Sequence, residues 1–425
     1  MSVGTKLLQA AAGNAGGPID TYYIDGTYPA LAGLAIDSSD NIYLGHSQNS
    51  DTTVTKIDDT PSIVWSKELT GGTNITNYTN YYGKFLSLGG DGKIHVAGRA
   101  TVSGAGIGFY VRLTSAGAID RSITTRQYTS DYGICVAQHN STYVYLVGSH
   151  YLSGVEQNSI FTVRIDNSNG NRQETKLHGR NSYIADSPNA IAMDSNGNPF
   201  IAYSAGLGLI KLVGSNHGTS WYRYIGGATS NFSGFSKDVK IDSGDNAIVV
   251  GYVYDSGTSK KQMFISKHNN SGTRQWAKQL AHSQGGQFHA CAIDSSDNIY
   301  AYGAIDPGGS SSDANTGIIA KFSSSGSLTY QHTLDDADNL YPAVDGASAV
   351  VNSSDLPIIA APGNSNKIYL FFVNEDLTTN SSLTLSDYTT ADSTTYTSSS
   401  TRSGFQYTNG VSTTVTSASP TLTKD

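Results

Sequence analysis

One short segment recurs seven times along the chain and constrains the fold more than any other feature. It consists of two apolar strands joined by a tight turn rich in Asp, Ser and Asn, as in LAGLAIDSSDNIYLGHS at 31–47. The first turn residues of the seven copies are Asp37, Gly89, His139, Asp194, Asp242, Asp294 and Asn352. They lie 52, 50, 55, 48, 52 and 58 residues apart. This is the spacing of four-stranded propeller blades.

Two further strands complete each repeat. Strand C follows the A–B hairpin and carries a basic residue in six copies, as in FISKH at 264–268. Strand D follows a polar turn, as in RQWAKQL at 274–280. Gly-rich turns, aromatic and β-branched strands, and the lack of a 3.6-residue apolar period all favour β structure. The sequence therefore predicts an all-β, seven-bladed β-propeller of four-stranded blades.

The chain divides into an N-terminal arm (1–19), the propeller (20–387) and a C-terminal tail (388–425). Two segments compete for the outer strand of the seventh blade: DTYYID at 20–25 and SSLTLSD at 381–387. The sequence leaves this choice open. The tail is rich in Ser and Thr and buries too little apolar surface to fold alone. We expect it to be disordered, or ordered as strands against a partner.

The turns between strands A and B have a structural explanation. Asp40, Gly197, Asp245 and Asp297 occupy a position where a positive φ is predicted, because Gly, Asp and Asn tolerate that conformation. The opening Asp is placed to accept a hydrogen bond from the N–H two residues on. A calcium loop needs about six or seven oxygen ligands, and these turns offer too few. We also predict that the basic residue of strand C pairs with a turn carboxylate or a backbone carbonyl.

Several classes of function lack their sequence signals. The net charge is −8 and no Lys/Arg cluster occurs, which speaks against nucleic-acid binding. The ten His residues are scattered without zinc-site spacing, and neither GxSxG nor a Walker A loop is present. The acidic run at 334–346 is interpreted as a solvated loop. We therefore predict a non-enzymatic protein without metal, cofactor or membrane insertion.

The two faces of the predicted ring differ in loop length. The A–B turns are tight, whereas the D–A and B–C connections are longer and share the opposite face. These longer loops carry aromatic residues among Asn, Ser and Gly, a composition typical of recognition surfaces. The predicted binding residues on this face are Tyr78, Tyr81, Tyr82, Tyr132, Tyr183, Phe232, Phe235 and Tyr341. The alternative is that these rings only pack the loops onto the ring.

Two segments resemble known families. WYRYIGGATSNFSGFSKDVKIDSGDNAIVVGYVYDS at 221–256 resembles the seven-bladed propeller repeat family, with its W-x-x-x-x-GG strand and V-D-S-x-G-N-x-Y-V-x-G hairpin. Blade three departs from that pattern by lacking the turn Asp, and blade seven by lacking the basic residue of strand C. The opening VGTKLLQAAAG at 3–13 resembles the start of virion structural proteins of tailed phages of marine bacteria, notably cyanophages.

The resemblance implies a structural component of a phage virion, such as a tail, fibre or capsid-surface protein. It implies docking through the termini, with Lys6, Leu7 and Leu8 in the arm, and several copies beside other virion proteins. The loop face would then meet protein or host-surface glycan. The expected location is the virion, assembled in the host cytoplasm. The alternatives are a cell-surface or secreted carbohydrate-binding propeller of a bacterium and, third, a propeller glycan lyase or hydrolase.

Overall fold

Seven antiparallel sheets form the blades of a β-propeller in a computed structural model of the chain, as predicted. The structure describes residues 19–25, 33–48, 51–71, 75–79, 85–102, 105–126, 131–135, 142–152, 157–178, 187–204, 206–225, 234–254, 260–305, 316–334, 346–362, 367–374, 377–379, 383–387, 389, 399–401, 406–409, 413–417 and 422–424. No helix long and apolar enough to cross a membrane occurs in these ranges.

The strands follow one another from the centre of each blade to its rim. Blade 1 contains β2 (Gly33–Ile36), β3 (Ile42–Gln48), β4 (Asp51–Ile57) and β5 (Ile63–Gly71). Blade 2 contains β7 (Leu86–Leu88), β8 (Ile94–Val102), β9 (Ala105–Leu113) and β10 (Ile119–Arg126), and β6 (Ile75–Thr79) also pairs with β8. Blade 3 contains β11 (Asp131–Cys135), β12 (Tyr143–Leu152), β13 (Gln157–Asp166) and β14 (Arg172–His178).

Blades 4 to 6 repeat this order. Blade 4 contains β15 (Pro188–Met193), β16 (Pro199–Tyr203), β17 (Gly208–Leu212) and β18 (Thr219–Tyr224). Blade 5 contains β19 (Gly234–Ile241), β20 (Ala247–Tyr254), β21 (Lys261–His268) and β22 (Arg274–Ala281). Blade 6 contains β23 (Gly286–Ile293), β24 (Ile299–Ile305), β25 (Thr316–Phe322) and β26 (Leu328–Leu334).

The N-terminal strand closes the ring. Blade 7 contains β27 (Ser348–Val351), β28 (Pro357–Pro362) and β29 (Lys367–Val373), and its fourth strand is β1 (Ile19–Asp25). β1 pairs with β29 along its whole length, from Ile19 opposite Val373 to Asp25 opposite Lys367. The competing segment forms β30 (Thr384–Asp387), which pairs with β22 of blade 5 instead. The alternative that the sequence left open is thereby resolved in favour of the N-terminal segment.

Four tail segments form strands against the ring itself. They are β31 (Ser399–Thr401) on blade 3, β32 (Gln406–Asn409) on blade 2, β33 (Thr413–Ser417) on blade 1 and β34 (Leu422–Lys424) on blade 7. The prediction of a tail that is disordered or awaits another molecule is wrong for these segments. It weighed side-chain burial alone, whereas exposed sheet edges offer backbone hydrogen bonds to any extended segment.

The A–B turns adopt the predicted conformation. The φ angles of Asp40, Asp245 and Asp297 are 58°, 60° and 61°, and that of Gly197 is 75°. The opening carboxylate accepts from the N–H two residues on, as from Asn196 to Asp194 Oδ1 at 3.0 Å. The basic residue of strand C also pairs as predicted, for example Lys267 with Asp242 at 2.7 Å.

A second set of hydrogen bonds joins the turns of neighbouring blades. Ser243 of blade 5 donates its N–H (2.9 Å) and its hydroxyl (2.6 Å) to the carboxylate of Asp297 in blade 6. The same Ser–Asp pair joins blade 4 to 5, blade 6 to 7 and blade 7 to 1. In blades 2 and 4 glycines (Gly92 and Gly197) stand at the Asp position. Those two blades therefore lack the receiving carboxylate.

Candidate functional site

A cluster of aromatic and lysine side chains lies at one end of blade 5. Phe235 is near the start of the inner strand β19, Tyr254 ends β20, and Lys261 begins β21. This is the end from which the D–A and B–C connections emerge, here called the loop face. The sequence predicted the binding residues on this face.

The local backbone determines how the cluster is presented. The pairing of β19 with β20 shifts register between Ser236 and Asp238, which makes Lys237 the extra residue of a β-bulge. Such a bulge redirects side chains at the edge of a site. Gly251 lies opposite Ser236, and a Cβ there would be 2.0 Å from the carbonyl oxygen of Phe235. Only glycine allows the two strands to approach this closely.

Three rings form the apolar part of the cluster. The ring centres of Phe235 and Tyr252 are 5.3 Å or less apart, at 5.2 Å with an interplanar angle of 32°. Tyr254 meets Tyr252 edge-on at 5.4 Å and 88°. Tyr252 is buried, Phe235 is partly buried, and Tyr254 keeps 40% of its surface exposed. The arrangement is a supported platform with one exposed ring.

Two ammonium groups lie over these rings. Lys237 Nζ is 5.7 Å from the ring centres of both Phe235 and Tyr252, and Lys261 Nζ is 4.9 Å from that of Tyr252. Cations within about 6 Å of a ring centre are attracted by its negative face. Lys261 Nζ also donates to Gln287 Oε1 of blade 6 at 3.4 Å. The cluster thus extends across the boundary between two blades.

A second basic group borders the cluster. Lys260 is exposed, and its Nζ donates to the carbonyl oxygen of Ser283 in the connection to blade 6. Partial burial, with the positive charge of Lys260, lowers the pKa of His282 below its ordinary value. His282 is therefore neutral at pH 7. The positive charge here comes from lysines, in a chain whose net charge is −8.

The structure places the predicted binding residues unevenly. Phe235 lies in the cluster. Tyr78 and Tyr132 belong to β6 and β11, opposite Ala100 and Ser149, but their side chains fall outside the described part. Outside the described residues altogether lie Tyr81, Tyr82, Tyr183, Phe232 and Tyr341, and also Lys6, Leu7 and Leu8 of the arm.

The sequence reasoning missed Lys237, Tyr252, Tyr254 and Lys261. All four belong to strands, whereas the search for binding residues considered loops. The available signal was the alternation Tyr252–Tyr254 at the end of a strand B, since residues two apart point to the same side. Among the residues that the structure describes, no group of three or more His, Cys, Asp or Glu side chains is arranged to hold a metal ion.

Comparison with known proteins supports the architecture. No protein-family model matches the sequence, and no curated protein is similar to it. Among solved structures, virginiamycin B lyase from Staphylococcus aureus superposes with a TM-score of 0.52 at 12% identity, covering 83% of this chain and 99% of the lyase. The WD40 repeats of RRP9 give a TM-score of 0.55 at 10% identity, covering 87% of this chain and 99% of that one. Identities this low show the propeller fold and nothing of the activity.

Proposed function

We propose that the protein is a non-catalytic recognition propeller that binds a surface glycan through the Phe235–Tyr252–Tyr254 platform and its lysines. The observation that carries the proposal is this cluster on the loop face. The C–H faces of sugar rings pack on aromatic rings, and ammonium and amide groups hydrogen-bond sugar hydroxyls. Rigid aromatic contact area loses little conformational entropy on binding.

The ring supplies the rigidity that such a site requires. Tyr252 is buried, and Phe235 is fixed by the bulge and by its contact with Tyr252. The platform is thus preorganised, and binding costs less ordering of side chains. The two lysines beside it favour glycans that carry carboxylate or sulfate groups, because the charges are opposite.

We further propose that the protein acts within a tailed-phage virion, as a tail, fibre or capsid-surface component present in several copies. The support for this setting is the resemblance of residues 3–13 to the start of phage virion proteins. The tail strands already pair with the protein's own blades, so the proposed contact with other virion proteins uses the N-terminal arm. Labelled antibody that decorates phage particles in electron micrographs is the expected result, and absence from purified particles would contradict it.

A binding experiment tests the recognition proposal. Purified protein is applied to an array of neutral and acidic bacterial glycans, and the best ligand is titrated by calorimetry against the wild type and Tyr254→Ala. We expect the variant to bind at least tenfold more weakly. The matched control is Val64→Ala, which trims a similarly exposed side chain (53%) on blade 1. Equal affinity of all three proteins would refute the site.

A further inference from the structure

The C-terminal tail passes round the outside of the ring in a fixed order. From β29 of blade 7 it first contacts blade 6, where Nδ1 of His332 donates to the carbonyl of Thr378 at 2.8 Å and Nε2 of Gln331 to that of Leu383 at 3.1 Å. Its strands then pair with the outer strands of blades 5, 3, 2 and 1, and the last pairs with β1 of blade 7. The tail thus returns to the blade from which it departed.

The tail meets every paired blade at the same position of the outer strand. That position lies two residues after the residue opposite the basic site of strand C, which in blade 5 is Trp276 facing Lys267. The equivalent pairs are Lys278 with Asp387, Lys176 with Thr401, Ile123 with Asn409, Lys67 with Ser417 and Tyr22 with Lys424.

The tail residues of these pairs are evenly spaced. Neighbouring blades 3, 2, 1 and 7 take residues 401, 409, 417 and 424, which are 8, 8 and 7 residues apart. Blades 5 and 3 take residues 387 and 401, which are 14 apart, and blade 4 lies between them. The chain therefore spends two steps of seven residues where it passes two blade boundaries. Seven extended residues reach at most about 25 Å.

Blade 4 is the gap in this series. Its sheet ends at β18, which pairs with no further strand among the described residues. In β18 the position equivalent to the other contacts is Arg223, two residues after Trp221, which faces Lys211. We propose that the outer edge of β18 is the docking site for residues 388–398 of the same chain, with Thr394 opposite Arg223. The tail is then a belt with one strand for each step.

The belt has a physical purpose that its composition does not reveal. An outer strand of a sheet presents unpaired N–H and C=O groups and invites pairing with other molecules. A Ser/Thr-rich segment satisfies these groups through its backbone and leaves polar side chains outside. A belt of this kind protects each copy from edge-to-edge association.

Engineered disulfides test the docking site. In Arg223→Cys/Thr394→Cys the two Cα atoms of an antiparallel pair would lie about 4.5 to 5.5 Å apart, which a disulfide spans. The positive control is Lys176→Cys/Thr401→Cys on blade 3, where the pairing is seen. The off-register control is Arg223→Cys/Thr390→Cys, displaced along the strand by about 13 Å. We expect the first two pairs to form intramolecular disulfides, identified by peptide mapping, and the third not to.

Two outcomes would overturn the proposal. If the Thr394 pair cross-links no better than the Thr390 pair, the segment passes blade 4 without pairing. If it gives disulfide-linked dimers, the occupant is the tail of a second copy.

A hydrogen-exchange measurement covers the case in which loss of Arg223 impairs folding. We expect Thr394→Pro to accelerate exchange in the peptide 219–224, and Ser403→Pro, between two tail strands, to leave that peptide unchanged. Equal exchange of the peptide in wild type and Thr394→Pro would also count against docking.

Discussion

Two histidines buried between blades 3 and 4 make the ring sensitive to acid. Nε2 of His178 and Nε2 of His217 lie 2.8 Å and 2.6 Å from the hydroxyl of Thr162, and the two ring centres are 6.1 Å apart. Burial lowers the pKa of His178 to about 3 and that of His217 to about 2, with the nearby positive charges acting in the same direction. Both imidazoles are therefore neutral in the folded protein at pH 7.

The sign and size of the effect follow from proton linkage. The unfolded chain binds a proton at each His below pH 6.5, whereas the folded protein does so only near pH 3, so stability falls as pH falls through this window. At pH 4.5 each His costs about 2.7 kcal/mol relative to pH 7.5, and the pair about 5 kcal/mol. This is comparable to the whole stability of a typical domain, about 5 to 15 kcal/mol.

Urea unfolding at pH 7.5, 5.5 and 4.5 measures this loss. The wild type is compared with a double variant carrying His178→Gln and His217→Gln, which does not titrate at these positions. We expect the stability of the wild type to fall more steeply by about 2.7 kcal/mol per pH unit below pH 6. Parallel pH profiles for the two proteins would refute the reasoning. NMR resonances of the two imidazoles that titrate near pH 6.5 in the native protein would refute it independently.

Two further predictions concern the turns, and urea unfolding measures both. Ser243→Ala removes the hydroxyl bond to Asp297 and should cost about 1 kcal/mol, whereas Ser38→Ala should cost nothing because blade 2 has glycine at the receiving position; equal losses would contradict the pairing. Gly326→Ala should cost about 2 kcal/mol, since φ is +83° and its Cβ would be 2.8 Å from an indole ring, while Gly90→Ala meets no atom within 4 Å and should be neutral; a neutral Gly326→Ala would contradict that geometry.

The fold was predictable from the sequence because its determinants are local. The turn Asp and Gly residues, such as Asp245 and Gly197, specify a positive φ within five residues, and the repeat multiplies that signal seven times. What joins the blades was not predictable. Asp245 accepts from Ser195, and Trp276 Nε1 donates to the carbonyl of Ser324 at 3.2 Å, across sequence separations of 50 and 48 residues. Such partners become apparent only once the blades are placed side by side.

The site and the tail show two other limits. Phe235 was identified by its loop-like context, but Lys237 joins it through a bulge that shifts register by one residue, and hydrophobic alternation does not locate a bulge. The tail was misjudged for a different reason. Its strands, such as β33, are held by backbone pairing to a blade edge more than 340 residues earlier, and composition carries no information on that pairing.

The most direct test of the central claim is the affinity of the wild type and of Tyr254→Ala for the best glycan found on the array, measured by calorimetry beside Val64→Ala. The account predicts saturable binding by the wild type and Val64→Ala, at least a tenfold loss for Tyr254→Ala, and a further loss when Lys261 is replaced by Met. Binding that survives both substitutions unchanged, or no binding to any glycan, would contradict it.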